Sequence, residues 1–141
     1  MKVIILGRRK PETIEMAFAE VEPEQFCEVT LGETTVWDAL QEIPFFYENG
    51  IAPFVKDLSA EDSKKPLPSL IAFSADKAEI YIAPGNVILC GYDYEADELV
   101  SLNHNQIALI ITGLSKQSVR LTDKDGKELT KTEVFRMSIK D

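Results

Sequence analysis

Three places in this 141-residue chain hold residues whose types and spacing suit chemistry. Asp93-Tyr-Glu-Ala-Asp-Glu98 packs four carboxylates and a tyrosine into six positions. Arg8-Arg9-Lys10 sets three cations between Gly7 and Pro11. A helix beginning at Pro11 would place those cations at its N-terminus, where free N–H groups and the helix dipole hold anions such as phosphate. Asp123-Lys-Asp-Gly126 alternates acids like the start of a calcium loop. With Asp123 and Asp125 at loop positions three and five, position one falls on Leu121 and position twelve on Thr132, neither a carboxylate. A hairpin turn accounts for this segment better.

The remaining chemistry is thin. His104 is the only histidine, which excludes a multi-histidine metal site within one chain, and its neighbours Asn103 and Asn105 suggest a turn. Cys27 and Cys90 form no Cys-x-x-Cys pair, alternate with apolar neighbours, and read as two buried thiols rather than a disulfide or a nucleophile. Gly-x-Ser-x-Gly, the P-loop and the Gly-x-Gly-x-x-Gly pattern are all absent. No metal, cofactor or catalytic set is therefore expected, and no family signature is present.

Charge is the unusual global feature. The chain carries −9, with 24 acids and 15 bases. Residues 11–115 hold 19 acids against four bases, a local balance of −15. Such a body repels nucleic acid and anionic membranes and attracts basic partners. It also simply keeps a small domain soluble. No run approaches the ~20 apolar residues of a membrane span, and no signal-peptide core is visible, so the reading is cytoplasmic.

The elements that must position these residues follow from hydrophobic periodicity. Lys2 to Gly7 reads as a fully apolar buried strand. Ile14, Ala17, Phe18 and Val21 recur at helical spacing between Pro11 and Pro23, predicting a helix there. Phe26 to Leu31 alternates as a strand, completing a β-α-β unit. A second helix is expected from a capping box at Thr35-Val-Trp-Asp38, burying Val36, Trp37, Leu40 and Ile43. Pro44 breaks it or opens a short turn of helix that Asn49-Gly50 ends. Residues 56–68, polar with two prolines, predict a long exposed loop within one domain spanning 1–141.

The second half reads as β. Strands are expected at 70–73, at 78–83 and 87–92 about a Pro84-Gly-Asn86 hairpin turn, and at 107–112. Further strands are expected at 119–122 and from 129 onward. The fold class is therefore α+β, an N-terminal β-α-β-α segment followed by antiparallel hairpins. The expected core comprises Ile4, Ile5, Phe18, Trp37, Leu40, Ile71, Phe73, Ile80, Leu89, Ile110 and Phe135.

Two functions fit. The first is a binding protein of inhibitor, immunity or chaperone type. It engages a basic protein through Asp93, Tyr94, Glu95, Asp97 and Glu98, where acids for steering and an aromatic anchor share one loop. The second is a small-molecule or nucleotide-binding domain, with or without enzymatic activity, that grips an anionic group with Arg8, Arg9 and Lys10.

Overall fold

The structure is a computed structural model that describes residues 1–10, 12–22, 34–37, 43–56, 67–74, 78–122, 126 and 128–139. It is sheet-rich, with two sheets and two helices among those residues. The expected mixture of α and β is present, but the expected N-terminal β-α-β-α order is not.

The first sheet is entirely antiparallel. It has the order β2 (Thr13–Glu20), β1 (Lys2–Lys10), β7 (Val87–Asp93), β4 (Ile51–Lys56), β3 (Thr34–Val36), with β8 (Glu98–Val100) also paired to β7. The second has the order β6 (Ile80–Pro84), β5 (Pro68–Ser74), β10 (Glu128–Ile139), β9 (Leu114–Thr122). Its one parallel pair is β5 with β10. Helix α1 (Pro44–Glu48) leads into β4, and α2 (His104–Gly113) leads into β9.

The helix expected between Pro11 and Pro23 is a strand, so there is no β-α-β unit and β1 pairs directly with β2. The segment fits both periods. Ile14 and Met16 alternate toward the core as well as Ile14, Ala17, Phe18 and Val21 form a helical stripe, and so short a stretch cannot decide between them. What decides is the long apolar edge of β1, which pairs with residues Glu15 to Glu20 in register, ending with Lys2 opposite Glu20. Phe18 is then 60% exposed rather than core. Phe18→Ala, which would cost about 3–5 kcal/mol at the buried position that helical periodicity implies, should cost less than about 1 kcal/mol at such an exposed one.

Residues 107–112 are the second correction. An apolar run of this length reads equally as strand or buried helix. Helix wins because Asn103 and Gln106 form a capping box. The Asn103 side chain accepts from the Gln106 N–H at 2.8 Å, and the Gln106 side chain accepts from the Asn103 N–H at 2.9 Å. The amide of Gln106 also donates to the carbonyls of Asn49 (2.9 Å) and Gly50 (2.8 Å), locking α2 to the end of α1. The third correction concerns Pro84-Gly-Asn86. Strands flank it as expected, but they lie in different sheets, so the turn carries the chain across the core rather than closing a hairpin. Gly85, at φ +63°, makes the change of direction, and its N–H donates to the Leu67 carbonyl at 3.0 Å.

Other expectations hold. β1 is a strand buried on both faces. Ile4 and Leu6 join the main core while Val3 joins a smaller cluster with Ile88 and Cys90 on the opposite face. The main core unites the two sheets through Leu89, Leu70, Phe135 and Met137, and receives Phe46 and Ile110 from the helices. β9 and β10 pair antiparallel as expected, with Thr122 opposite Glu128, while the turn expected at 123–126 lies outside the described residues apart from Gly126. Of the expected core, Ile4, Trp37, Leu89, Ile110 and Phe135 are buried, Ile5, Ile71 and Phe73 are half-buried, and Ile80 is 59% exposed. Thr35 and Val36 begin no helix but form part of β3. Leu40, the strand expected at 26–31, and most of the loop expected over 56–68 lie outside the described residues.

Candidate functional site at the acidic hairpin

The six residues from Asp93 to Glu98 form the turn between β7 and β8. Asp93 and Glu98 close the ladder and Tyr94 to Asp97 make the loop. Short-range polarity folds it. One Asp93 carboxylate oxygen accepts from the N–H groups of Glu95 (3.0 Å) and Ala96 (3.1 Å), an Asx-type turn. Asp97 takes the left-handed conformation, φ 55°, which an acidic residue tolerates better than most. Its carboxylate accepts from the Tyr92 hydroxyl.

The two tyrosines fasten the turn to the sheet. Their rings meet at 4.8 Å between centroids and a 52° tilt. The Tyr94 hydroxyl donates to the Ile51 carbonyl at 3.0 Å, reaching across to β4. Partial burial pushes the Tyr94 phenol up to about 12, with Cys90 and Tyr92 adding to the rise. The Tyr92 phenol is also raised, chiefly by its hydrogen bond to Asp97. Beneath them Cys90 is fully buried, its thiol 3.6 Å from the Ala52 carbonyl and pushed up to about 12 by burial. It is an inert core thiol, as its alternation suggested.

All four carboxylate residues of the hairpin are exposed, and Tyr94 keeps 41% of its surface in solvent. A cleft of about 170 Å³ opens beside them, lined by Val36, Ala52, Tyr92, Tyr94 and Asp97. The structure thus brings Asp93, Tyr94, Glu95, Asp97 and Glu98 onto one turn. Tyr92, which the sequence reading assigned to the strand alone, belongs with them. Its signal was the spacing Tyr92-x-Tyr94 ahead of Asp97.

The basic turn is built differently. β1 runs on through Lys10 and no helix starts at Pro11, so the helix N-terminus invoked for an anion is not there. Arg8 turns inward. Its guanidinium donates to the Thr132 hydroxyl at 2.7 Å and to the Pro68 carbonyl, joining β1 to β10 and β5. Burial lowers its affinity for the proton and nearby Glu133 partly restores it. Lys10 is exposed, and the Arg9 side chain lies outside the described residues. The larger clefts lie elsewhere and do not favour anions. One of about 410 Å³ is lined by Phe45, Glu48, Leu109, Thr112 and Ser138 among others, with a carboxylate and no cation among its described residues. One of about 270 Å³, floored by Val3, Ile4 and Phe18, has Lys2 at its rim facing Glu20.

Among the described residues no group of three His, Cys, Asp or Glu side chains is placed to hold a metal ion, and no helix is long and apolar enough to cross a membrane. His104 is the exposed first residue of α2, not a turn residue, and lies outside the hairpin. Comparison with protein-family models, with curated proteins and with solved structures finds no match to this chain.

Proposed function

We propose that this chain is a binding domain that engages a basic protein through the β7–β8 hairpin. The observation that carries the reading is the hairpin's build: four exposed carboxylates on a turn pinned by its own hydrogen bonds, with Tyr94 half-presented beside a cleft. Exposed acids of one sign speed the encounter with a cationic surface. A turn already held in place loses little conformational freedom on binding, and an aromatic side chain at its tip supplies the contact that keeps the complex together. An inhibitor or an immunity-type protein for a basic effector works in this way.

The test is capture of a basic protein from the native host, followed by binding kinetics at two salt concentrations. Replacing Asp93, Glu95, Asp97 and Glu98 by their amides should slow association several-fold and flatten its salt dependence. Tyr94→Ala should mainly speed dissociation, and Tyr94→Phe, which loses only the bond to Ile51, should do so less. Association indifferent to both the amides and salt removes the hairpin as the steering surface. If no protein is captured, and a phosphorylated ligand raises the melting temperature in a way that Arg9→Ala abolishes, the anion-binding reading replaces this one.

A further inference from the structure

We propose that Asn49-Gly50 is a latent site of covalent modification, deamidation through a cyclic succinimide, which the docking of α2 holds closed. This goes beyond the hairpin reading and does not depend on it.

The chemistry is intramolecular. The backbone nitrogen of the residue after an asparagine attacks the side-chain amide carbon. A C–N bond forms, closing a five-membered imide, and the side-chain nitrogen leaves as ammonia. Water then opens the ring at either carbonyl, giving aspartate or isoaspartate with one new negative charge. A following glycine favours the attack most, because no Cβ shields the nitrogen. Of the four asparagines, Asn49 alone precedes a glycine; Asn86, Asn103 and Asn105 precede Val87, His104 and Gln106. The turn also requires that glycine. Gly50 sits at φ +66°, and a Cβ there would lie 3.1 Å from Gln106 Nε2 and 3.3 Å from the Tyr92 carbonyl oxygen.

The fold keeps the reacting atoms apart. The ring closes only when the Gly50 nitrogen eclipses the Asn49 Cβ about the Asn49 Cα–C bond. At ψ 8° it eclipses the backbone nitrogen of Asn49 instead. The Gly50 N–H donates to the Tyr47 carbonyl at 3.4 Å, and the Asn49 side-chain amide donates to the Phe45 carbonyl at 2.7 Å. Rotating ψ would swing the Asn49 carbonyl, which Gln106 Nε2 holds at 2.9 Å. It would also move the Gly50 carbonyl, held by the same amide at 2.8 Å and by the Tyr92 N–H at 2.8 Å. Gln106 belongs to α2, so the site opens when α2 lets go. Water reaches it, since Asn49 is half-buried and lines the cleft of about 410 Å³. Conversion is one-way. It removes the donor to Phe45, and isoaspartate lengthens the backbone by a methylene just before Ile51, whose carbonyl anchors Tyr94.

Peptide mass mapping of the full chain, incubated at mildly alkaline pH with and without urea, tests this. Asn49 should convert in denaturing urea and at least about tenfold more slowly in the folded chain. Gln106→Glu separates the lock from the cap. Its carboxylate still accepts from the Asn103 N–H but has no donor for Asn49 and Gly50. It should speed conversion about tenfold in a chain that stays folded by circular dichroism. Gln106→Met, neutral and without a donor, is the second variant. Ile14→Val, in the core on β2, lowers stability without removing these hydrogen bonds and should leave the rate near the parent's. In the parent, low urea should raise the rate less steeply than it raises global unfolding, because a local opening exposes less surface. No conversion at Asn49 in urea, or equal rates in the folded and denatured parent, overturns the proposal. So do folded Gln106 variants that convert at the parent's rate. Acceleration by Ile14→Val equal to theirs, or a urea slope equal to that of global unfolding, would make global unfolding the gate and overturns it too.

Discussion

The turns that end β1 and β7 close opposite ends of the same sheet, since the two strands are antiparallel with Ile4 facing Leu89. Both are runs of charge in the sequence, and they are used in opposite ways. At the basic turn Arg8 is drawn into the protein and ties the first sheet to the second. At the acidic turn the carboxylates stay in water, and tyrosines do the tying. A charge run thus says nothing about direction. What separates the two is the neighbourhood of the strand end. β1 ends against β5 and β10, where a carbonyl and a hydroxyl need donors, while β7 runs into a turn that satisfies itself.

The harshest way to break this contrast is at the base of the acidic hairpin. A Cβ on Gly91 would lie 2.7 Å from the Val100 carbonyl oxygen and 2.9 Å from that of Ser101, both rigid backbone. Gly91→Val should cost about 3 kcal/mol in urea unfolding, the upper range for overpacking. It should also splay β8 from β7, so that hairpin amide protection falls with stability. Next comes the basic turn. Arg8→Met keeps the apolar stem but removes both donors and leaves Glu133 without its neighbouring cation. A loss of about 2 kcal/mol is expected, in the range for hydrogen bonds to a charged group. The four hairpin amides, measured alongside, should stay within about 0.5 kcal/mol. Equal losses at the two turns would end the distinction between them.

The pH dependence sharpens how the acidic turn is held. The Cys90 thiol and the Tyr94 phenol are both raised to about 12, from ordinary values of 9 and 10, so both favour the neutral form in the folded state. Their contribution is fully present below about pH 9 and is lost as pH climbs toward 12. Unfolding free energy should therefore fall with pH through this window. Cys90→Ala should remove the portion that begins near pH 9, and Tyr94→Phe the portion that begins near pH 10. A flat profile from pH 8 to 11 in the parent chain would show that neither group is shielded from water.

Much of the second half of the chain was legible beforehand. The β9–β10 hairpin and the last strand have alternation or strong turn residues, and those signals act within a few residues. The acidic loop was legible for the same reason, as acids and Gly-free turn residues between two apolar runs. The failures share one cause. Residues 13–20 and 107–112 are short apolar segments whose pattern serves a strand or a helix, and the choice rested on partners far away in sequence. For 13–20 the partner was the open side of β1. For 107–112 it was Gln106 reaching the carbonyls of Asn49 and Gly50, more than fifty residues back. The Asn103-x-x-Gln106 capping box stood in the sequence and could have found that helix.

By itself, then, the sequence determined composition-level and nearest-neighbour properties. These are an acidic body, a first strand apolar enough to be buried on both faces, the stop at Gly50, and an exposed acidic turn. Each depends on local backbone preference or on transfer of a side chain from water, and needs no knowledge of the rest of the chain. The tertiary structure alone decided which sheet each strand joined, whether Pro84-Gly-Asn86 closed a hairpin or crossed the core, and which way Arg8 pointed. Those outcomes turn on which hydrogen-bonding groups are left without partners once the two sheets meet, and that is a property of the assembled fold rather than of any segment.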